Sequence, residues 1–180
     1  MAGPADDFPL LDPRGALRRT RLTLAPRAGR EALAGGTVVF YDNEKMDVGH
    51  FGRLFPRIAG GLAAQGITRF HHERASVRGT RTADLAALAR RLCVPGARGA
   101  VIALADMGVS PAMVALAVEL ERLGLPTVCL TAGPGSRLAS AHAHYRAGWL
   151  CLLPFDIHPG TEAQTIDRLV DASLPRLLTQ

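Results

Sequence analysis

From residue 37 onward, short apolar runs alternate with amphipathic stretches. Thr37-Val38-Val39-Phe40-Tyr41 is a β-branched and aromatic run that gives way to the polar Asp42-Asn43-Glu44-Lys45. It predicts a buried strand running into a loop. Phe51, Leu54, Phe55, Ile58 and Leu62 then recur at helical spacing, so a helix beginning near His50 turns one stripe toward a core. Pro56 should kink that helix or shift its start, and Gly66 should end it. Residues 68–73 form a more polar strand, expected at a sheet edge. The spacing predicts a helix over 82–92 with Leu85, Leu88, Ala89 and Leu92 inward, and a turn over 96–99.

Residues 99–105 are the most apolar segment and predict a central strand covered on both faces. Asp106-Met107-Gly108-Val109-Ser110 is its exit loop. Ser110 is expected to N-cap the next helix, with Pro111 at the first helical position. That helix directs Met113, Leu116, Ala117, Leu120 and Leu123 inward and stops at Gly124. A fourth strand is predicted over 127–131, a helix over 137–146, a fifth strand over 149–153 and a terminal helix over 162–178, with Ile166, Leu169, Val170 and Leu174 inward. Residues 1–35 carry no period, and Pro4, Pro9, Pro13 and Pro26 break any helix there. They are expected to form an extended arm packed on the domain, which occupies 36–180.

Five strands alternating with helices predict an α/β fold: a flavodoxin- or Rossmann-like three-layer sandwich. Its five-stranded, mainly parallel sheet is expected in the order 2-1-3-4-5. In that order the first and third strands are neighbours, and the loops leaving them converge on one crevice.

Composition narrows the class. Nearly half of the 180 residues are apolar, enough for one buried core. The net charge of +5 owes much to arginines before residue 35. Those arginines are interleaved with leucines and prolines, which fits a surface-laid segment and not a nucleic-acid arm. Cys93, Cys129 and Cys151 stand singly in apolar surroundings, so buried free thiols in a reducing cytoplasm are expected. No apolar run reaches the ~18 residues of a membrane helix, and no signal-peptide pattern opens the chain. A cytoplasmic protein with neither membrane nor nucleic acid as partner is expected.

The crevice collects the candidate chemistry. Lys45 is the only lysine among 21 basic side chains of the lysine and arginine type. Lysine differs from arginine in that its amine can lose its proton on burial and add to carbonyls. Lys45 would polarise a carbonyl or hold an anion; a Schiff base is the weaker alternative. Asp106 ends a buried strand, where a carboxylate needs a partner, and Lys45 is the candidate. His50 is a general acid or base if it turns inward. Asn43, Gly108, Ser110, Thr131, Ser136 and His158 are the candidate substrate-binding residues, with Ser110 at an anion-binding helix end. The substrate expected is a small carboxylate, carbonyl or phosphate compound. No cofactor and no metal are expected.

Other features carry less. Gly133-Pro134-Gly135-Ser136 lacks the ending of a phosphate-binding P-loop. His142 and His144 are two apart on a helix and face different ways, as do His71 and His72 on a strand. Ser110 lacks a nucleophile elbow. Glu119 and Glu121 are expected to be solvated.

Several short motifs together resemble the UGSC-like family, small α/β proteins related to cysteine- or selenocysteine-bearing redox components. They are Leu11-Asp12-Pro13, Leu24-Ala25-Pro26-Arg27, the Asp42-Asn43-x-Lys45 loop, and Glu119-x-Glu121-Arg122-x-Gly124-x-Pro126-Thr127-Val128. The family's exit loop carries two thiol or selenol positions in Gly-Asp-Cys-Gly-Ser-Cys. Here Met107 and Ser110 stand there. A thioether and a hydroxyl form no disulfide and offer no thiolate, so family-type redox chemistry cannot run at this loop. The resemblance then implies a non-redox enzyme for elimination, hydration, condensation or rearrangement, with specialised biosynthesis expected by analogy. The alternatives are a non-catalytic subunit beside a second, thiol-bearing UGSC-like component, or a small-ligand binding module. A homo-oligomer is a further expectation.

Overall fold

The computed structural model describes residues 22–44, 51–106, 108–133, 135–146, 150–157 and 160–179. Within them a five-stranded parallel sheet has the order β2-β1-β3-β4-β5. Its strands are β1 Thr37–Asp42, β2 Phe70–Arg74, β3 Ala97–Ala105, β4 Thr127–Thr131 and β5 Cys151–Pro154. The helices are α1 Arg30–Ala34, α2 Phe51–Ala63, α3 Thr82–Leu92, α4 Ser110–Arg122, α5 Gly135–Arg146 and α6 Ala163–Thr179. This is the expected α/β three-layer architecture and strand order.

The period-two alternation of β1 explains why its apolar run is continuous. Val38 and Phe40 join a core with Leu54, Ile58, Ile166 and Val170 from α2 and α6. Val39 and Tyr41 join a second core with Leu88, Met113 and Leu116 from α3 and α4, and with Ala139 and Ala143 from α5. A central strand covered on both sides has no solvent face to make polar. β2 has one neighbour, and its half-exposed pattern matches its place at the edge. Burial of apolar side chains on both faces is the main stabilising term, at roughly 25 cal/mol per Å².

On the α2–α6 seam, Arg53 pairs with Asp167 and Arg57 with Asp171. Gly61 leaves no room for a Cβ beside Leu174, so the two helices approach closely there. The ion pairs are solvent-exposed, so water and salt screen them and they contribute little.

Several expectations are corrected. Residues 30–34 form α1, five residues too short to leave a period, and Leu33 enters the first core. β3 begins at Ala97, so 97–99 belong to the strand, and the turn is made before it at Gly96 (φ +79°). α5 starts at Gly135, two residues earlier than expected, and β5 spans 151–154. Pro56 sits inside α2 without displacing its start. Leu123 is 48% exposed, because it is the C-cap residue beyond the last turn of α4. Gly124 follows with φ +84°, as a helix-ending glycine does. No helix among the described residues is long and apolar enough to cross a membrane.

Candidate functional site

Because β1 and β3 are neighbours, their carboxyl ends lie side by side. Asn43, just beyond β1, is 2% exposed and bonds twice to the end of β3. Its backbone N–H donates to the Ala103 carbonyl at 3.0 Å, and its Nδ2 donates to the Leu104 carbonyl at 2.9 Å. The side-chain amide thus extends the strand ladder by one rung, which is why a buried polar residue is tolerated there. The next residue makes a turn: Glu44 has φ +58°, and its N–H donates to Asp42 Oδ1 at 2.8 Å. Asp42 also pairs with Arg74 of β2, Nε to Oδ2 at 3.4 Å.

Asp106 follows β3 and is half-buried. Its backbone carbonyl accepts from Ser110 N at 3.0 Å and from Ser110 Oγ at 2.6 Å, closing the exit loop over Gly108 (φ +91°). Only a residue tolerant of positive φ fits that turn, which is the role of Gly108. Ser110 is not the N-cap. It is the first residue of α4, fully buried, with Val109 at the cap position and no side-chain cap bond. Its hydroxyl lies also 3.2 Å from the Gly135 carbonyl, so it ties the β3–α4 turn to the start of α5. Beside it, Thr131 Oγ1 and Ser136 Oγ share a hydrogen bond of 2.8 Å. The Ala132 N–H donates to the Ala105 carbonyl at 3.1 Å, holding the loops after β3 and β4 together.

Of the candidate residues, Asn43 is bonded to the end of β3. Asp106, Gly108 and Ser110 share one turn, and Ser110 reaches the loop that pairs Thr131 with Ser136. Lys45, His50 and His158 lie outside the described residues, as does Met107.

Glu121, expected in solvent, is buried with 2% exposure. It accepts from Thr127 N and Ala25 N, each at 2.8 Å, and pairs with Arg27. Its partners come from a segment about a hundred residues earlier and from the following strand, so no local signal could reveal them.

The thiols have no activated member. Burial, then the neighbouring Cys151, pushes Cys129 up to about 12. Burial is also the first cause for Cys151, pushed up to about 11, and for Cys93, which is raised as well. All three cysteines are free.

The sequence also passed over a cleft of about 300 Å³ between α2 and β2. It is lined by Phe40, Phe55, Pro56 and His72 below and by Asp42, Glu73 and Arg74 at the rim, with Gly52 on the helix side. The His72 ring lies tilted by 34° against that of Phe40, with centroids 5.0 Å apart. Burial, then His71, lowers its pKa below the usual histidine value. The signal was present in the alternation of β2, where positions 70, 72 and 74 share a face. A larger hollow, about 430 Å³, lies near Arg98, Gly124 and Pro126, at the opposite ends of the strands from these loops.

A family model described as the UGSC family matches residues 9–147, well over half of the 180-residue chain. No curated protein and no solved structure matches.

Proposed function

This chain belongs to the UGSC family, and we propose that it is a thiol-independent enzyme acting on a small carbonyl or carboxylate compound at the carboxyl ends of β1 and β3. The observation that carries this reading is the pair of hydrogen bonds from Asn43 to the end of β3. It fixes Asn43, two residues before Lys45 in the sequence, against β3, the strand that Asp106 follows. Neighbouring strands at a switch point are where open α/β sheets place their ligands.

In this reading Lys45 polarises the carbonyl or holds the carboxylate, Asp106 moves a proton, and His50 assists as acid or base. The reaction is an elimination, hydration, condensation or rearrangement. Lyase-type chemistry, a biosynthetic setting and a cytoplasmic location go with it. Independence from thiols is supported by the residues Met107 and Ser110 and by three cysteines that burial keeps protonated at neutral pH.

The test is conversion of a panel of 2-oxo, 3-hydroxy and unsaturated carboxylic acids, followed by proton NMR. Lys45→Ala and Asp106→Asn are expected to lower turnover about 100-fold or more with the circular dichroism spectrum unchanged. Turnover that survives both substitutions contradicts the reading.

A second reading is a non-catalytic subunit or ligand-binding partner of a thiol-bearing relative. The observation that favours it is that the crevice hydroxyls already bond within the protein, Ser110 to Asp106 and Thr131 to Ser136. Saturable ligand binding without turnover, or co-purification with a cysteine-bearing relative, distinguishes it.

A further inference from the structure

Among the described residues β2 stands at one edge of the sheet, with β1 as its neighbour on the inner side. The Val38 N–H donates to the Arg69 carbonyl at 2.9 Å, and the Ala75 N–H donates to the Asp42 carbonyl at 3.0 Å. Residues 69, 71, 73 and 75 therefore turn their backbone groups toward β1. By alternation Phe70, His72 and Arg74 turn theirs outward. Such an edge is a template for another strand, and proteins commonly guard it with proline, lysine or a bulge. β2, Phe70–Arg74, holds no proline and no lysine, and its register against β1 runs without a bulge. Its charged side chains are committed within the chain, Glu73 to Arg91 of α3 and Arg74 to Asp42.

We propose that this edge is a homodimer interface, in which β2 pairs antiparallel with β2 of a second copy about a twofold axis at His72. The strand Phe70-His71-His72-Glu73-Arg74 is self-complementary about that residue. His72 faces His72 of the second copy, His71 faces its Glu73, and Phe70 faces its Arg74. The outward-turned residues thus face one another, and each such pair exchanges backbone N–H···O=C bonds. His71 and Glu73 fall in the non-bonded pairs, where side chains come closest. An imidazole opposite a carboxylate is a favourable cross-strand pair. Within one chain His71 Nε2 already lies 3.9 Å from Glu73 Oε2. An aromatic ring opposite a guanidinium is a second favourable pair. Other axes fit less well. One at Glu73 would set two carboxylates opposite each other, and one at His71 would leave Glu73 and Arg74 beyond the paired strand. The interface is isologous, so it closes at two copies. It does not depend on catalysis in the crevice.

The strand has five residues, so the pairing covers less than the roughly 1,600 Å² of a standard interface. A reversible dimer with a Kd on the order of 10 µM is expected. His72→Pro removes the N–H that faces the second copy and leaves the ladder to β1 intact, as edge-strand prolines do. His72→Glu sets two carboxylates opposite each other across the axis.

The experiment is sedimentation velocity of the full chain from about 1 to about 200 µM, spanning the expected Kd. The wild type should pass from monomer to dimer. His72→Pro should weaken the dimer about thirtyfold by removing two backbone bonds, and His72→Glu about fivefold, with circular dichroism unchanged. Cysteine cross-linking in a glutathione redox buffer reads the register, whether or not His72→Pro folds. His72→Cys should join two copies through the peptide Phe70–Arg74, because Cα atoms of such a pair lie ~5.5 Å apart. Phe70→Cys should cross-link only when mixed with Arg74→Cys. The wild type, with free Cys93, Cys129 and Cys151, sets the background. A chain monomeric at about 200 µM, a dimer as tight in His72→Pro as in the wild type, or Phe70→Cys joining to itself as fast as His72→Cys would overturn the proposal.

Discussion

The buried carboxylate of Glu121, at the end of α4, holds the guanidinium of Arg27 from 94 positions earlier in the chain. The same carboxylate accepts from Ala25 N and Thr127 N, so two of the motifs that carry the family resemblance meet at one side chain. Glu121→Ala removes the acceptor of two backbone donors and a cation together. A loss of about 3 kcal/mol is expected, the scale of breaking a buried pair. Urea unfolding of Glu121→Ala, with Glu121→Gln expected to lose less, measures it; a loss under about 1 kcal/mol would show that the contact contributes little.

Asn43 gives a second stability prediction. Asn43→Ala leaves the Leu104 carbonyl without this donor and should cost about 1–2 kcal/mol. Asn43→Asp sets an ionised carboxylate against that carbonyl and should cost more at neutral pH. The buried new carboxyl would have its folded pKa raised above the unfolded value. Its penalty is therefore full above the folded pKa and is relieved as pH falls through it, when the protonated group can donate. Thermal midpoints of the wild type and both variants between pH 4 and 8 check the sign.

Cys129 and Cys151 should react slowly in the folded chain. With Cys129 pushed up to about 12 and Cys151 up to about 11, the reactive thiolate is scarce at pH 7.5. Disulfide exchange with a chromogenic reagent should be at least ~100-fold slower at Cys129 than at a free thiol, and complete only on unfolding. Rapid labelling of the native chain would indicate an activated cysteine and would count against thiol-independent chemistry.

His72 predicts a pH dependence of small size. Its folded pKa lies below the ordinary histidine value because of burial and then the charge of His71. The unfolded chain therefore takes up the proton first as pH falls. The associated stability is present above the unfolded pKa, near 6.5, and is lost as pH drops through the folded pKa. His72→Gln should flatten that part of the stability profile, and the ring's access to solvent keeps the effect modest. A slope unchanged by the substitution would contradict this account.

The fold was legible because its strands are dense in β-branched and apolar residues and its helices keep a clear stripe. The run Thr37–Asp42 and the long apolar segment ending at Ala105 announce central strands, and with a polar edge strand and regular strand–helix alternation they fit the observed flavodoxin-like order. The bonding of Asn43 to the end of β3 followed from topology, since the strand order sets the carboxyl ends of β1 and β3 side by side. What was not legible depends on distant partners or single turns. Glu121 looks like any polar helix residue until Ala25 and Arg27 are folded onto it. Ser110 has the composition of an N-cap, yet its hydroxyl bonds backward to the Asp106 carbonyl. α1 is too brief for a period, and Leu123 keeps the helical spacing one residue past the helix itself.

Lys45 is the sole lysine of the chain, so a protein labelled only at the lysine ε-carbon gives one side-chain methylene signal. That signal tests most directly whether the amine and Asp106 share the crevice. The account predicts that it moves on Asp106→Asn and moves saturably when pyruvate is added to the wild type. A signal identical in both proteins and indifferent to pyruvate would contradict it.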